Sequence, residues 1–308
     1  MLSIIIVNFK TSKAIMVCLD SIQKHEINYR QYEIIIVDNN SDDLGLKDVE
    51  DKYSFVKIIY APRNGGFSYG NNIGIMQAKG DYILLLNPDT YLEDNSIERL
   101  YDRMRNDSEI IIAGPKLLYP DGKNQSYYTP KSYLTLWRLF CMEFFLDKIF
   151  VRSRFINSYF QTYMDYDKER YVEQVSGAAF IFKKNLIDKI GFFDENYFMY
   201  FEESDFCLRA VKKGHKLLYY PESKVFHIEG QSTLAGFSEW SNRHYVESFI
   251  YFFKNNYGLM SACISISFLF IGLLLRIIIS SLTLNKKYIL YCYQMKYLLK
   301  YIFNAKTV

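Results

Sequence analysis

The sequence predicts an α/β fold: a mostly parallel, doubly wound sheet flanked by helices, with a C-terminal helical, membrane-associated appendage. Three observations lead there. Short apolar runs rich in β-branched residues recur through the first part of the chain, the pattern of strands buried on both faces. Stretches with helical spacing separate them, and alternation of this kind implies a parallel sheet. From residue 254 onward, apolar and basic residues run without a single Asp or Glu.

The strands come first. LSIIIVNF (2–9), EIIIVDN (33–39), VKIIYA (56–61), YILLLN (82–87) and IIIAG (110–114) are the expected strands of the sheet, and VEQVSGAAFIF (172–182) returns to strand character later. After the first strand, Ile15, Cys18, Leu19 and Ile22 mark one helix face, with Thr11 or Ser12 placed to cap it. Residues 67–79 follow a Gly65-Gly66 turn as a second helix. Asn95 with Glu98 resembles a capping box for a helix to about Asn106. Glu202–Lys213 reads as a helix stopped by Gly214.

The chain of 308 residues is half apolar, enough for one large α/β domain with an appendage. We divide it into a catalytic domain over 1–253 and a tail over 254–308. Residues 124–172, aromatic, basic and free of Gly, read as an insert over the active-site groove. The net charge of +3 is uneven: Lys254, Arg276, Lys286, Lys287, Lys296, Lys300 and Lys306 make the tail strongly basic and leave the body net acidic. A basic apolar tail on an acidic body points to anionic lipid, and the body offers no basic stripe for nucleic acid. The cysteines, Cys18, Cys141, Cys207, Cys263 and Cys292, are odd in number and lack zinc-ligand spacing, which indicates a reducing compartment. The N-terminus has no basic region or cleavage site and reads as a strand.

Within the tail, 17 residues from Leu259 to Leu275 carry no charge before Arg276. That length is at the lower limit for a membrane span. A span, an interfacial or re-entrant hairpin, and a core or dimer helix all fit it. The following stretch, Tyr288–Tyr301, interleaves Tyr and Leu with Lys as an interfacial helix does.

Ligands of doubly wound sheets bind beyond the carboxyl ends of the strands. Polar clusters fall at that edge: Asn8, Asp38-Asn39-Asn40, Arg63-Asn64-Gly65-Gly66 and Asn87-Pro88-Asp89. Each alone is ordinary turn chemistry; together they outline a site. A phosphate-binding P-loop and a GxGxxG fingerprint are both absent from the sequence, which sets aside the common nucleotide-hydrolase and dinucleotide readings.

SIIIVNF, IIIVDNNSDD, RNGGFSYGNNIGI, ILLLNPDT, VSGAAFIFKK, GFFDENYFMYFEESDFCLRA and VFHIEG, in that order, resemble the family 2 glycosyltransferases, and most closely their rhamnosyltransferase-like branch. The likeness covers about residues 2–230. It implies a GT-A fold, a nucleotide-diphosphate sugar donor, a divalent cation (Mg²⁺ or Mn²⁺) and inversion at the anomeric carbon. Asp38 would meet the base or ribose. Arg63, Asn64 and Gly66 would line the donor pocket, with Asn71 and Asn72 nearby and Asn8 and Asn39 at the same strand edge. Asn87 stands where the family's metal-binding motif often has its first Asp, so Asp89 would be the carboxylate ligand and His227 a further one. One or two carboxylates suffice for a hard cation that also takes phosphate and water. Gly177, in a small-residue strand, would leave room for a sugar ring.

The expected general base lies in FEESDFCLR. Glu203 aligns with it, one methylene longer than the family's Asp, and Glu202 and Asp205 remain alternatives. Arg209 is one helical turn from Asp205 and could pair with it. Asp194 reads as a turn residue. Trp240 and the 124–172 segment could shape an acceptor site. The expected function is transfer of a sugar, with dTDP-rhamnose leading and a UDP-hexose as the other donor, to a lipid-linked glycan at the cytoplasmic face of a bacterial plasma membrane. The enzyme would be peripheral or monotopic, and a homo-oligomer is compatible with it. A catalytically silent sugar-nucleotide-binding protein is the rival from another class.

Overall fold

The computed structural model describes residues 1–26, 31–125, 130–228, 239–285 and 287–303. Part of the expected insert (126–129), the Glu229-Gly230 end of VFHIEG, and the tail lysines Lys286 and Lys306 lie outside them. The chain runs β1 (Leu2–Asn8), α1 (Ser12–His25), β2 (Glu33–Asp38), α2 (Leu46–Lys52), β3 (Val56–Tyr60), α3 (Gly66–Gln77), β4 (Tyr82–Leu86), β5 (Thr90–Tyr91), α4 (Ser96–Arg105) and β6 (Ile110–Leu118). It continues with α5 (Leu136–Glu143), α6 (Leu146–Ile149), β7 (Arg170–Val172), β8 (Ala179–Lys183), α7 (Ile187–Ile190), α8 (Glu202–Lys212), β9 (Lys216–His227), α9 (Glu239–Tyr257), α10 (Leu259–Leu282) and α11 (Tyr288–Phe303).

The sheet order is β3-β2-β1-β4-β8-β6-β9-β5, with β7 also on β9. β1, β2, β3 and β4 are mutually parallel. β8 enters antiparallel between β4 and β6, and β9 is parallel to β6 but antiparallel to β5 and β7. The second half of the sheet is therefore mixed. The expected strand over 172–182 divides: β7 ends at Val172, β8 begins at Ala179, and the residues between them turn toward the site. β9, a strand the sequence reading passed over, bends where Pro221 and Pro115 interrupt its pairing with β6, as Pro must in a ladder.

The continuous apolar runs follow from burial on both faces. Ile4, Ile6, Ile34, Ile36, Leu84 and Leu86 pack with Ile15, Leu19, Ile22, Ile97 and Leu100 on one side of the sheet. Ile5, Ile35, Val37, Ile83 and Leu85 pack with Ile75, Phe180, Phe182, Phe206 and Ala210 on the other. Alternate side chains point to opposite faces.

Helix starts are capped from afar. Thr11 stands before α1, but its hydroxyl donates to Asn8 Oδ1 at 2.8 Å, and the Ser12 amide is instead taken by Asp43 Oδ2 at 2.9 Å. The Asn95–Glu98 box does not form. Buried Glu26 accepts from the amides of Ile97 (2.8 Å) and Glu98 (3.0 Å). Its burial pushes the carboxyl up to about 7 in spite of those two donors.

A third core unites the C-terminal helices with the body: Leu139, Tyr197, Leu208, Phe249, Phe252, Phe253, Leu269, Leu273 and Leu298 pack together. The boundary expected after residue 253 falls inside α9. α10 is one helix long and apolar enough to cross a membrane by length and composition. One face of it is nevertheless committed to protein: Ala262, Ser265, Leu269, Gly272 and Leu273 are buried, and Arg276 is ion-paired with the buried Glu143 of α5. A Cβ on Gly272 would collide with that Glu143 carboxylate. All five cysteines are free thiols.

Candidate active site

The carboxyl ends of β1 and β2 carry an interlocked polar group. Asn8, fully buried, donates from Nδ2 to Asp38 Oδ1 at 2.8 Å and to Ser41 Oγ at 3.1 Å. The Ser41 amide donates to Asp38 Oδ2 at 3.1 Å. Asn39 donates to the Gly66 carbonyl at 2.8 Å. Asn64 Oδ1 accepts from the Gly66 amide at 3.1 Å. Gly66 has φ +82°, and a Cβ there would stand 2.0 Å from the Phe198 carbonyl oxygen. That carbonyl also accepts from the Phe67 amide at 2.8 Å. The Gly-Gly turn thus locks the start of α3 to the loop before α8, and no side chain larger than hydrogen fits.

Arg63 is the exposed member of this group, stacked 4.3 Å over the Tyr69 ring and 3.8 Å from Glu195. Asn71 and Asn72 lie beside the site but are spent on structure. Asn71 donates to the Phe67 carbonyl one turn back, at 2.9 Å. Asn72 clasps the loop before α8 through Phe193 (2.9 and 3.1 Å) and Glu195 (3.0 Å).

At the end of β4, the Asn87 amide donates to the Ala178 carbonyl at 2.8 Å and the chain turns through Pro88. The β5–β9 ladder pairs Thr90 with His227, and the Ile228 amide donates to the Asp89 carbonyl at 2.9 Å. Asp89 and His227 are both buried, with His227 Nε2 3.4 Å from Asp89 Oδ1. Gln125 sets the ring. Its Nε2 donates to the His227 carbonyl at 2.6 Å, so its Oε1, 3.0 Å from Nδ1, accepts the Nδ1 hydrogen. Nε2 then faces a carboxylate oxygen. A cation or a proton between them satisfies that arrangement, and a backing acceptor on the far nitrogen is usual for metal-ligating His. These two residues fit a divalent cation that completes its shell elsewhere. Among the described residues no cluster of three or more His, Cys, Asp or Glu exists to hold one alone.

The three carboxylates at the start of α8 separate in environment. Asp205 is spent: Arg209 Nε donates to Oδ2 at 2.7 Å and Asn256 Nδ2 to Oδ1 at 3.0 Å, tying α8 to the end of α9. Glu202 is buried, and its Oε2 has no hydrogen-bond partner among the described residues. Burial, then the neighbouring Glu203, pushes its carboxyl well above the usual range. Glu203 is half-buried. Burial raises it too, opposed by the positive charge of Lys131 and a hydrogen bond from Gln174. Both carboxyls are thus pushed up, Glu202 by burial with no opposing cation and Glu203 by burial that the Lys131 charge offsets. Phe201 and Tyr200, just before the helix, both sit at positive φ, 69° and 72°. Such strain in non-glycine residues needs outside support, and Phe201 packs against Tyr245, Phe249 and Phe252 of α9.

The two ends of the site meet at the small-residue stretch. Gly177 precedes the Ala178 carbonyl that holds Asn87. A Cβ on Gly177 would lie 3.7 Å from Cβ and Cγ of Glu203 and from the Phe67 ring. Asp194 closes a turn, accepting from the Asn196 amide at 3.0 Å and the Tyr251 hydroxyl at 2.8 Å. Trp240 packs edge-on against Phe198.

Sequence reasoning missed Lys131 and Gln125. Lys131 lies at the head of the expected insert, its backbone paired with Gln174 at 3.0 Å, while Gln174 Nε2 donates to Ser204 Oγ at 2.8 Å. Burial pulls its ammonium down to about 8 against the pull of Glu203. Neither residue carries a local signal, since each acts on a group over 70 residues away in the chain. In the rest of the insert, α5 and the segment after it pack toward α10.

The family model described as glycosyl transferase family 2 matches residues 3–190. The chain is 25% identical over 240 residues to an N-acetylglucosaminyl-diphospho-decaprenol L-rhamnosyltransferase of Mycobacterium tuberculosis, covering 74% of this chain and 77% of that one. It is 25% identical over 258 residues to rhamnosyltransferase WbbL of Escherichia coli, covering 82% and 92%. Among solved structures, it is similar to a mannosyltransferase from Pyrobaculum calidifontis in complex with GDP-Man and Mn²⁺ (TM-score 0.57, 12% identity, 98% and 86% covered). It is also similar to GalNAc-T7 with UDP, GalNAc and Mn²⁺ (TM-score 0.56, 19% identity), spanning 80% of this chain but only 46% of that one.

Proposed function

This chain belongs to glycosyl transferase family 2, and from that premise we propose that it is a metal-dependent, inverting rhamnosyltransferase acting on a lipid-linked glycan. The observation that carries the reading is the meeting of two chemistries across Gly177. The Asp89–His227 pair is tethered on one side through Asn87 and Ala178, and on the other side Glu203 lies 3.7 Å from where a Cβ on Gly177 would stand. Similarity to a rhamnosyltransferase and to an N-acetylglucosaminyl-diphospho-decaprenol L-rhamnosyltransferase supports rhamnose as the sugar and a lipid-linked acceptor, with dTDP-rhamnose as the leading donor.

Asp38, braced by Asn8 and Ser41 and followed by Asn39, would hold the nucleoside, and Arg63, Asn64 and Gly66 would border the diphosphate. A divalent cation held by Asp89 and His227 would supply Lewis-acid stabilisation of the departing diphosphate. The imidazole nitrogen favours Mn²⁺ over Mg²⁺, which prefers an all-oxygen shell. Glu203 takes the proton of the acceptor hydroxyl as that oxygen bonds to the anomeric carbon and the bond to the diphosphate breaks. Glu202 stays buried beside it, and Asp205 stays with Arg209. α10 and α11 would dock at the cytoplasmic face of the plasma membrane, where such an acceptor resides.

The test is a donor screen by nucleotide release, with and without Mn²⁺ or Mg²⁺. dTDP-rhamnose should turn over only with metal, and the Glu203→Gln chain should bind donor without turnover. Turnover of a UDP-hexose alone would replace the donor assignment. Absence of turnover with every donor and lipid-linked acceptor would leave a silent binding protein.

A further inference from the structure

Away from the Asp89–His227 pair and Glu203, an exposed apolar surface is shared by the body and the tail. The segment Ile149–Phe155, which follows α6, exposes Ile149 (66%), Phe150, Val151 and Phe155 (68%). Two side chains, the buried Asn157 and the exposed Trp137, hold it in that form. Asn157 Nδ2 donates to the carbonyls of Asp147 (3.2 Å) and Val151 (3.1 Å), and Trp137 Nε1 donates to the Phe155 carbonyl at 3.2 Å. A ring path then reaches α10: Phe155 to Trp137 (4.8 Å), Trp137 to Phe140 (5.8 Å), Phe140 to Phe268 (5.4 Å). Beyond Phe268, the face of α10 opposite its buried stripe exposes Ile271, Leu274, Ile278, Ile279 and Leu282.

The charge around this surface has one sign. Lys148, Arg152 and Arg154 are exposed, whereas the acids of the same region are buried: Asp147 at the foot of the segment and Glu143 under Arg276. Rigidly held apolar tips flanked by cations have the chemistry of anionic phospholipid headgroups over acyl chains. α10 cannot offer lipid its whole circumference, because one face is bound to α5, α9 and α11 by packing and by Arg276.

We propose that Ile149–Phe155 of the body and the outer face of α10 form one docking surface for an anionic phospholipid bilayer, with α10 lying in the interface and not across it. The inference rests on the membrane-docking reading above and adds a second, body-borne contact to it. Two attachment elements fix the orientation of the groove to the bilayer, which one helix could not.

The test uses the full chain and vesicles of phosphatidylcholine, with and without phosphatidylglycerol, in a sedimentation assay at near-physiological salt. Arg152→Gln/Arg154→Gln, an exposed pair that does not threaten folding, should lower partition onto the anionic vesicles about 30-fold, at roughly fivefold per cation, with no change on phosphatidylcholine alone. Ile149→Asp/Phe155→Asp should lower partition on both vesicles with an unchanged thermal melt. Ile278→Asp/Leu282→Asp should do the same. If the helix pair releases the protein while both segment pairs bind as wild type, the inference fails and docking through the tail stands. If the wild type binds neither vesicle, both fail together. If lipid-free wild type is a dimer that Phe155→Asp dissociates, the surface is a contact between copies and the inference fails.

Discussion

Nε2 of His227 stands 3.4 Å from Oδ1 of Asp89, two buried side chains separated by more than a hundred residues and joined by the pairing of Thr90 with His227. Among the described residues two protein ligands face each other there, so affinity for a cation should depend on what the donor brings. Mn²⁺ should bind the donor-free protein weakly and tighten when a nucleoside diphosphate is present. Asp89→Asn should remove the tightening. Gln125→Leu, which releases the Nδ1 hydrogen, should cost about 10–100-fold in metal affinity. Calorimetry with and without nucleotide checks this, and tight stoichiometric Mn²⁺ binding without donor would contradict it.

Glu203 and Asp205, two residues apart on one helix, should fail in different ways when neutralised. Glu203→Gln should lower kcat by about 10²–10⁴-fold, the usual worth of a positioned base, and leave the melting temperature unchanged. Asp205→Asn should instead destabilise the fold by about 3 kcal/mol, because Arg209 loses its buried partner. Thermal melts and kinetics on the same preparations separate the two. Equal loss of kcat in both at equal stability would sink the assignment of Glu203.

Lys131 predicts a pH signature. Glu203 is raised by burial and held back by the Lys131 charge, so Lys131→Met should raise it further. The acid limb of kcat/KM should move to higher pH in that variant. In the wild type, Lys131 itself loses its charge near pH 8, so the restraint on Glu203 weakens above that value. A pH–rate profile with an unshifted acid limb in Lys131→Met would show that the two groups are not coupled.

Gly66→Ala should be costly out of proportion to one methyl group. The added carbon meets the Phe198 carbonyl and the residue must keep φ +82°, worth about 1–3 kcal/mol for the strain alone. The Phe67–Phe198 bond that locks the two loops would open, so KM for the donor should rise together with the fall in melting temperature. A stable variant with unchanged KM would remove this turn from the site.

Glu143 and Arg276 test whether the tail is part of the body. Arg276→Met leaves Glu143 buried without its cation, which should cost about 3–5 kcal/mol of the stability of the whole chain. Glu143→Leu/Arg276→Met should recover most of it, since a packed apolar pair of similar volume is often neutral. A single variant that melts like the wild type would show that α10 moves independently of α5.

Much of the fold was legible because its code is local. Four apolar runs reported strands covered on both sides, whereas the fifth, expected to be buried as well, is the partly exposed edge strand β3; Asn8, Asp38 and Asn87 fell at or just past strand ends. The helix of Glu202–Lys212 was bounded by its charges and by Gly214. Caps were not legible in the same way: Asp43 and Glu26 reach α1 and α4 from other parts of the chain, displacing the nearby Thr11, Ser12 and Asn95.

The sequence by itself determined the fold class, the order of the motifs and the family, since hydropathy, turn chemistry and residue order are readable within windows of a few residues. Only the tertiary structure decided the reversed direction of β8, the burial of Glu202 beside Glu203, the loss of Asp205 to Arg209 and Asn256, the backing of His227 by Gln125, and the approach of Lys131. Each of these depends on which distant segments share a strand register or a core, and on how deeply a charge is taken from water. Neither quantity belongs to any single stretch of chain.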